Sequence, residues 1–193
     1  MGVLGYLTIA LCIVWAMPEF RNIVRKRSKE PSPTKDGRSL LVVMATNNIA
    51  IALAVVVKLV PATIGGIGKI TTGFPIGYFG CLIMVVGICV RWIAVATLGR
   101  QFTIDVAIVT EHQIVDKGLY RTIRHPAYLG TLVTLWGLGL ALENWLCLLI
   151  LFALPLAGHL YRISVEERAL VEHFGSAYSD YMKRTKRLIP GVL

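Results

Sequence analysis

The densest cluster of residues able to do chemistry is Gly118-Leu119-Tyr120-Arg121-Thr122-Ile123-Arg124-His125-Pro126-Ala127-Tyr128-Leu129-Gly130. Proline is tolerated at the first position of a helix, where its missing N–H costs nothing. Pro126 is therefore expected to begin a helix, with Arg124 and His125 at its N-terminus. Free amides and the positive end of the helix dipole gather there, and a carboxylate suits such a place. The same residues also fit a plain interfacial helix start, with Tyr120 and Tyr128 at headgroup level. A second pair, Arg162 and Glu166, stands four residues apart, on one face if helical. It suits an acceptor site, in which an arginine orients an anionic group and a carboxylate takes a proton. It equally suits an interfacial ion pair worth a few tenths of a kcal/mol. His112, in His112-Gln113-Ile114-Val115, is a lone loop histidine. No second histidine or acid stands at ligand spacing, so no metal centre is expected.

The elements that must position these residues are apolar runs near membrane-spanning length, for which about 20 residues are needed. The runs cover residues 2–17, 40–60, 77–98, 126–142 and 145–161. Pro18 is expected to end the first. The first run could pass for a signal sequence, but it lacks a basic start and a small-x-small cleavage site, and it reads as a retained helix. Only Glu143 and Asn144 separate the last two runs, so these must fold back as an antiparallel hairpin. After Arg162, the spacing of Leu170, Phe174, Ala177, Tyr178 and Tyr181 predicts a helix. Gly175 should break it, and Ser176 should cap the second piece. The fold class is thus all-α and integral to a membrane, with about five transmembrane helices and a C-terminal helical segment. One domain covers 1–193, with three N-terminal spans in 1–98 and the chemistry-bearing residues in 99–193.

Composition agrees. The 193-residue chain is 55% hydrophobic and 16% charged, with a net charge of +9, against about 25% charged in soluble domains. Lysine and arginine number seven in 21–38, four in 99–125 and six in 162–193, whereas 62–76 holds Lys69 alone. The positive-inside rule places the three basic segments in the cytoplasm, which favours lipid contact over nucleic acid. Within the first three runs, Lys58 can snorkel. Arg91 either snorkels or faces a polar cavity. No acid lies in these runs, which argues against a proton-coupled transporter. Cys12, Cys81, Cys89 and Cys147 all lie in apolar runs and form no C-x-x-C pair, so packed, reduced thiols are expected. Gly65-Gly66-Ile67-Gly68 follows no strand and is no dinucleotide loop.

Taken together, His112 to Val115, Gly118 to Tyr120, Arg124 to Tyr128, Arg162 with Glu166-Glu167, and Phe174 to Tyr181 resemble the isoprenylcysteine carboxyl methyltransferase family and its phospholipid methyltransferase relatives. The resemblance covers about residues 95–190 and implies S-adenosylmethionine as cofactor, in a cytoplasmic pocket closed by the C-terminal segment. It assigns Asp105, His112, Gln113, Ile114, Val115, Tyr120, His125, Pro126, Ala127 and Tyr128 to the cofactor, with Asp105 where eukaryotic members carry glutamine. It assigns Arg162 and Glu166 to acceptor binding and catalysis. The chain is shorter than eukaryotic members and looks prokaryotic. The implied acceptor is a lipophilic carboxylate, thiol or amine, on a small molecule or a lipid, and oligomeric state is not legible. An NADPH-dependent sterol-reductase-like enzyme and a small multispan transporter are the alternatives.

Overall fold

The computed structural model describes residues 2–25, 38–59, 68–70, 74–102 and 114–189. Among these are six α-helices: α1 (Val3–Arg25), α2 (Ser39–Leu59), α3 (Ile76–Leu98), α4 (Pro126–Ala141), α5 (Trp145–Phe174) and α6 (Ser176–Arg184). Short 3₁₀ turns cover Gly99–Gln101 and Gly118–Arg121. Three helices, α2, α3 and α5, are long and apolar enough to cross a membrane; Val3–Glu19 of α1 and all of α4 are shorter apolar helices. The exposed leucines, isoleucines and valines of these helices face outward, as hydrocarbon rather than water requires.

Two helix boundaries differ from the sequence reading. Pro18 lies inside α1, which runs on to Arg25. Pro155 lies inside α5, which carries past Tyr161 through Arg162 and Glu166 to Phe174. An interior proline forfeits one hydrogen bond, but helices packed in a membrane tolerate it because neighbours re-satisfy the freed groups. Glu19 therefore sits on α1, and Arg162 and Glu166 ride on the fifth helix itself. Gly175, at φ 58°, does break the helix, but Ser176 opens α6 without a side-chain cap bond.

The hairpin between α4 and α5 forms as expected. The Asn144 side chain accepts from the Leu146 and Cys147 amides at 2.9 and 3.2 Å, capping α5. Lys58 Nζ donates to the Leu142 carbonyl at 2.8 Å, so it caps the end of α4 rather than merely reaching for water. The closest packing joins α3 to α4. A Cβ on Gly137 would stand 2.6 Å from the Met84 amide, and one on Gly130 equally close to the Arg91 amide. Such small-residue seams let backbones approach where hydrocarbon supplies no hydrophobic drive.

Helix directions alternate. The start of α1, the start of α3 and the hairpin turn meet at one end, where Gly77 lies against Leu4 and Glu143. Ser39, the start of α4, Arg162 and α6 gather at the other end. Cysteines introduced at Lys69, Lys117 and Lys183 test this. An impermeant maleimide should label 117 and 183 from one face and 69 only from the other. Labelling of all three from one side would break the alternation.

Candidate active site

Tyr128 is the hub of the ionic end. It stands in the first turn of α4, with Pro126 at the first helical position as the sequence predicts. Its hydroxyl donates to Glu166 Oε2 at 2.7 Å and accepts from Arg162 Nε at 3.3 Å. Arg162 Nη1 also donates to Ser39 Oγ at 2.8 Å. Arg162 is only 3% exposed, whereas the Glu166 side chain keeps 28% exposure. The two are not a plain surface ion pair: a phenol bridges them and a serine of α2 braces the arginine. The His125 ring stacks on Tyr128 at 5.5 Å, with its Nδ1 3.9 Å from Glu166 Oε2.

Below this end, Tyr128, Arg162, His159, Arg91, Asn47 and Thr131 help line a cavity of about 230 Å³ enclosed by α1 to α5. Arg91 is paired with both carboxylate oxygens of Glu19 through its Nε and Nη2, and its Nη1 donates to the Ala127 carbonyl at 3.0 Å. Of the two sequence readings for Arg91, the polar cavity is the one found. The absence of an acid from the first three spans does not hold, because α1 extends to Glu19. That acid is already neutralised by Arg91.

Arg124 is held by the C-terminal half of the chain. Its guanidinium donates to Glu167 Oε1 at 2.8 Å and to the carbonyls of Met182 and Thr185. Arg187 donates to Glu167 Oε2 at 2.9 Å. The Arg124 and His125 amides are also taken, by the carbonyls of Lys186 and Arg187. The C-terminal segment is thus clamped over the start of α4. Tyr181 adds a bond from its hydroxyl to the Tyr120 carbonyl at 2.6 Å. Burial, with Asp116 nearby, pushes that phenol up to about 12, so it remains a donor at neutral pH.

Val115, Tyr120 and Ala127 join one apolar cluster with Ala94, beside His125 and Pro126, which are buried. Ile114 is half-buried next to them. Asp105, His112 and Gln113 lie outside the described residues. Sequence reasoning missed Ser39, Glu19 and His159, and it named Glu167 only beside Glu166, with no role of its own. His159 alone carried a signal, being three residues before Arg162 and so on its face. Residues of the first half, Ser39, Glu19 and Arg91, reach a site expected only in 99–193.

The described residues form an all-helical membrane protein whose buried ionic site adjoins a cavity between the helices. Residues 80–172, just under half of the chain, match the isoprenylcysteine carboxyl methyltransferase (ICMT) family. It is 31% identical to a probable protein-S-isoprenylcysteine O-methyltransferase of Oryza sativa subsp. indica, over 61% of this chain and 62% of that one. It is 34% identical to the protein-S-isoprenylcysteine O-methyltransferase of Saccharomyces cerevisiae, over 58% and 48%. The fold is similar to that of a solved eukaryotic intramembrane Ras methyltransferase ICMT, with TM-score 0.60 and 26% identity, over 75% of this chain and 52% of the other. The chain thus spans about half to three-fifths of the length of these relatives. Members of the family use S-adenosylmethionine.

Proposed function

We propose that this chain transfers a methyl group from S-adenosylmethionine to a nucleophilic group of a lipophilic acceptor, at the cytoplasmic face of a prokaryotic membrane. One observation carries the reading: Tyr128 joins Arg162 to Glu166 at the point where the ionic end meets the intramembrane cavity. A polar cofactor and an apolar acceptor can meet only at such a boundary.

The donor set fits the cofactor. Val115, Tyr120 and Ala127 offer an apolar wall for a purine. His125 Nε2 is buried without a hydrogen-bond partner among the described residues, Glu167 Oε1 being 3.4 Å away. Asp105, His112 and Gln113 complete the proposed set. When bound, the cofactor supplies an activated methyl on a sulfonium sulfur. The bond from that sulfur to carbon breaks as the acceptor's bond to carbon forms, and the electron pair stays on sulfur as a neutral thioether. The protein contributes alignment and a dry site. Arg162 holds an anionic acceptor in line. A thiol, phenol or amine acceptor loses its proton towards Glu166, directly or through the Tyr128 hydroxyl. The relatives' names specify a prenylcysteine carboxylate. The carboxylate, thiol or amine of a small hydrophobic molecule fits the same chemistry.

Calorimetry on detergent-purified protein tests the cofactor. Saturable binding of S-adenosylmethionine and none of NADPH is the expected result. Tyr128→Ala and His125→Ala should each weaken it about tenfold or more, since each removes a buried contact of roughly 1–3 kcal/mol. Unchanged affinity in a folded variant would remove that residue from the cofactor set.

A further inference from the structure

His159 is buried, 1% exposed, on α5. It lines the cavity yet has no part in the Tyr128, Arg162 and Glu166 network. Its Nδ1 lies 2.8 Å from the Pro155 carbonyl. A carbonyl only accepts, so Nδ1 carries the proton and Nε2 bears the lone pair. The Nδ1 bond to the carbonyl leaves Nε2 as the acceptor of the ring. The ring meets Tyr128 edge-on at 5.4 Å, which fixes its plane. Three residues along a helix rise about 4.5 Å, so His159 stands one turn deeper in the bilayer than Arg162.

The wall around it is mainly apolar but carries several polar groups. The Arg91 and Glu19 pair, Asn47 and Thr131 all contribute. Asn47 Oδ1 and Trp15 Nε1, both on cavity-lining residues, are buried with no hydrogen-bond partner. Buried polar groups in native proteins are normally satisfied, and orphans need a reason. A cavity made only for a hydrocarbon chain would be lined as apolar cores are. Its size points the same way. An apolar cavity of about 150 Å³ holds a benzene, so one of about 230 Å³ holds a ring with several further atoms. Anything longer must project between the helices.

Resting on the methyltransferase reading, we propose that His159 is a specificity residue whose Nε2 accepts a hydrogen bond from a hydroxyl or N–H of the acceptor. The acceptor is then a compact amphiphile carrying a second polar group about one helical turn deeper than the atom that is methylated. An unbroken prenyl chain lacks such a group.

The test uses 4-pentylphenol and its methyl ether, 4-pentylanisole, which differ in the donor hydrogen. By calorimetry on the whole protein in detergent, the phenol should bind about tenfold more tightly than the ether, the scale of one buried hydrogen bond. His159→Phe should abolish the difference, and S-adenosylmethionine titration checks that the variant is folded. A second readout needs no variant: the Nε2 resonance of His159 in nitrogen-15 spectra of the native protein should move with the phenol and not with the ether. Equal affinities, binding of neither probe, or an unmoved Nε2 resonance overturns the proposal. Failure of the wild type to bind S-adenosylmethionine would instead overturn the methyltransferase reading, because the comparison of phenol and ether does not depend on the cofactor.

Discussion

Arg162→Lys and Glu166→Gln are each expected to lower kcat by roughly a hundredfold or more if the groups act in the transition state, with cofactor affinity changed only a few-fold. Arg162 divides its guanidinium between Ser39 and the Tyr128 hydroxyl. A lysine keeps the charge but loses the planar fork that serves both at once. In Glu166→Gln the side-chain carbonyl can still accept from Tyr128, so shape survives while charge and basicity go. Tyr128→Phe separates the two contributions. It keeps the ring against His125 and removes only the bridging hydroxyl, so turnover should fall more than affinity. Acceptor chemistry sharpens the result. Against a carboxylic acid, already ionised, the arginine variant should be the worse. Against a thiol or amine the glutamine variant should be the worse, and raising the pH should restore part of its rate. Single-turnover transfer of labelled methyl measures this directly. Normal rates for both variants with every acceptor would reduce the pair to a structural brace.

Glu167→Ala should destabilise the protein by about 3–5 kcal/mol, the usual cost of stranding a buried charge. The Glu167 side chain is 4% exposed and receives Arg124, itself 8% exposed, on one oxygen and Arg187 on the other. Removing the carboxylate leaves Arg124 buried against neutral acceptors, the Met182 and Thr185 carbonyls and the Thr185 hydroxyl. Arg187→Ala is the control. Arg187 is 42% exposed, so its removal should cost no more than about 1 kcal/mol. Thermal unfolding in detergent reads both. The same variant should loosen the C-terminal segment, because Arg124 ties α4 to the carbonyls of Met182 and Thr185. Faster proteolysis after Lys183 or Arg184 would report that loosening. Equal melting temperatures for Glu167→Ala and the native protein would show that the clamp carries no stability.

The membrane fold was legible because hydrocarbon imposes length and composition directly. Three apolar runs of spanning length, the two-residue turn Glu143-Asn144, Pro126 at a helix start and the break at Gly175 are local facts that lie where the sequence placed them, whereas the first and fourth runs of the five expected spans form shorter apolar helices. Pro18 misled for the same reason: propensity scores it as a breaker, and only packing decides that the helix continues. That continuation carried Glu19 to Arg91. The fifth helix runs on past its apolar run and takes Arg162 and Glu166 with it. Arg162, Glu166, His125 and Tyr128 were named from their types, spacing and resemblance, but not what they do to one another. Nothing in the sequence said that a phenol stands between Arg162 and Glu166, or that Ser39, 123 positions away, braces the arginine. Nor did it say that Glu167 rather than Glu166 takes Arg124. Neighbouring glutamates on a helix point about 100° apart, and which one meets the tail depends on where α4 and α6 lie. Chain-local energies set helices, caps and turns. Partners across the bundle are set by helix rotation and by the glycine seam of α3 and α4, so only the tertiary structure decides which polar groups meet.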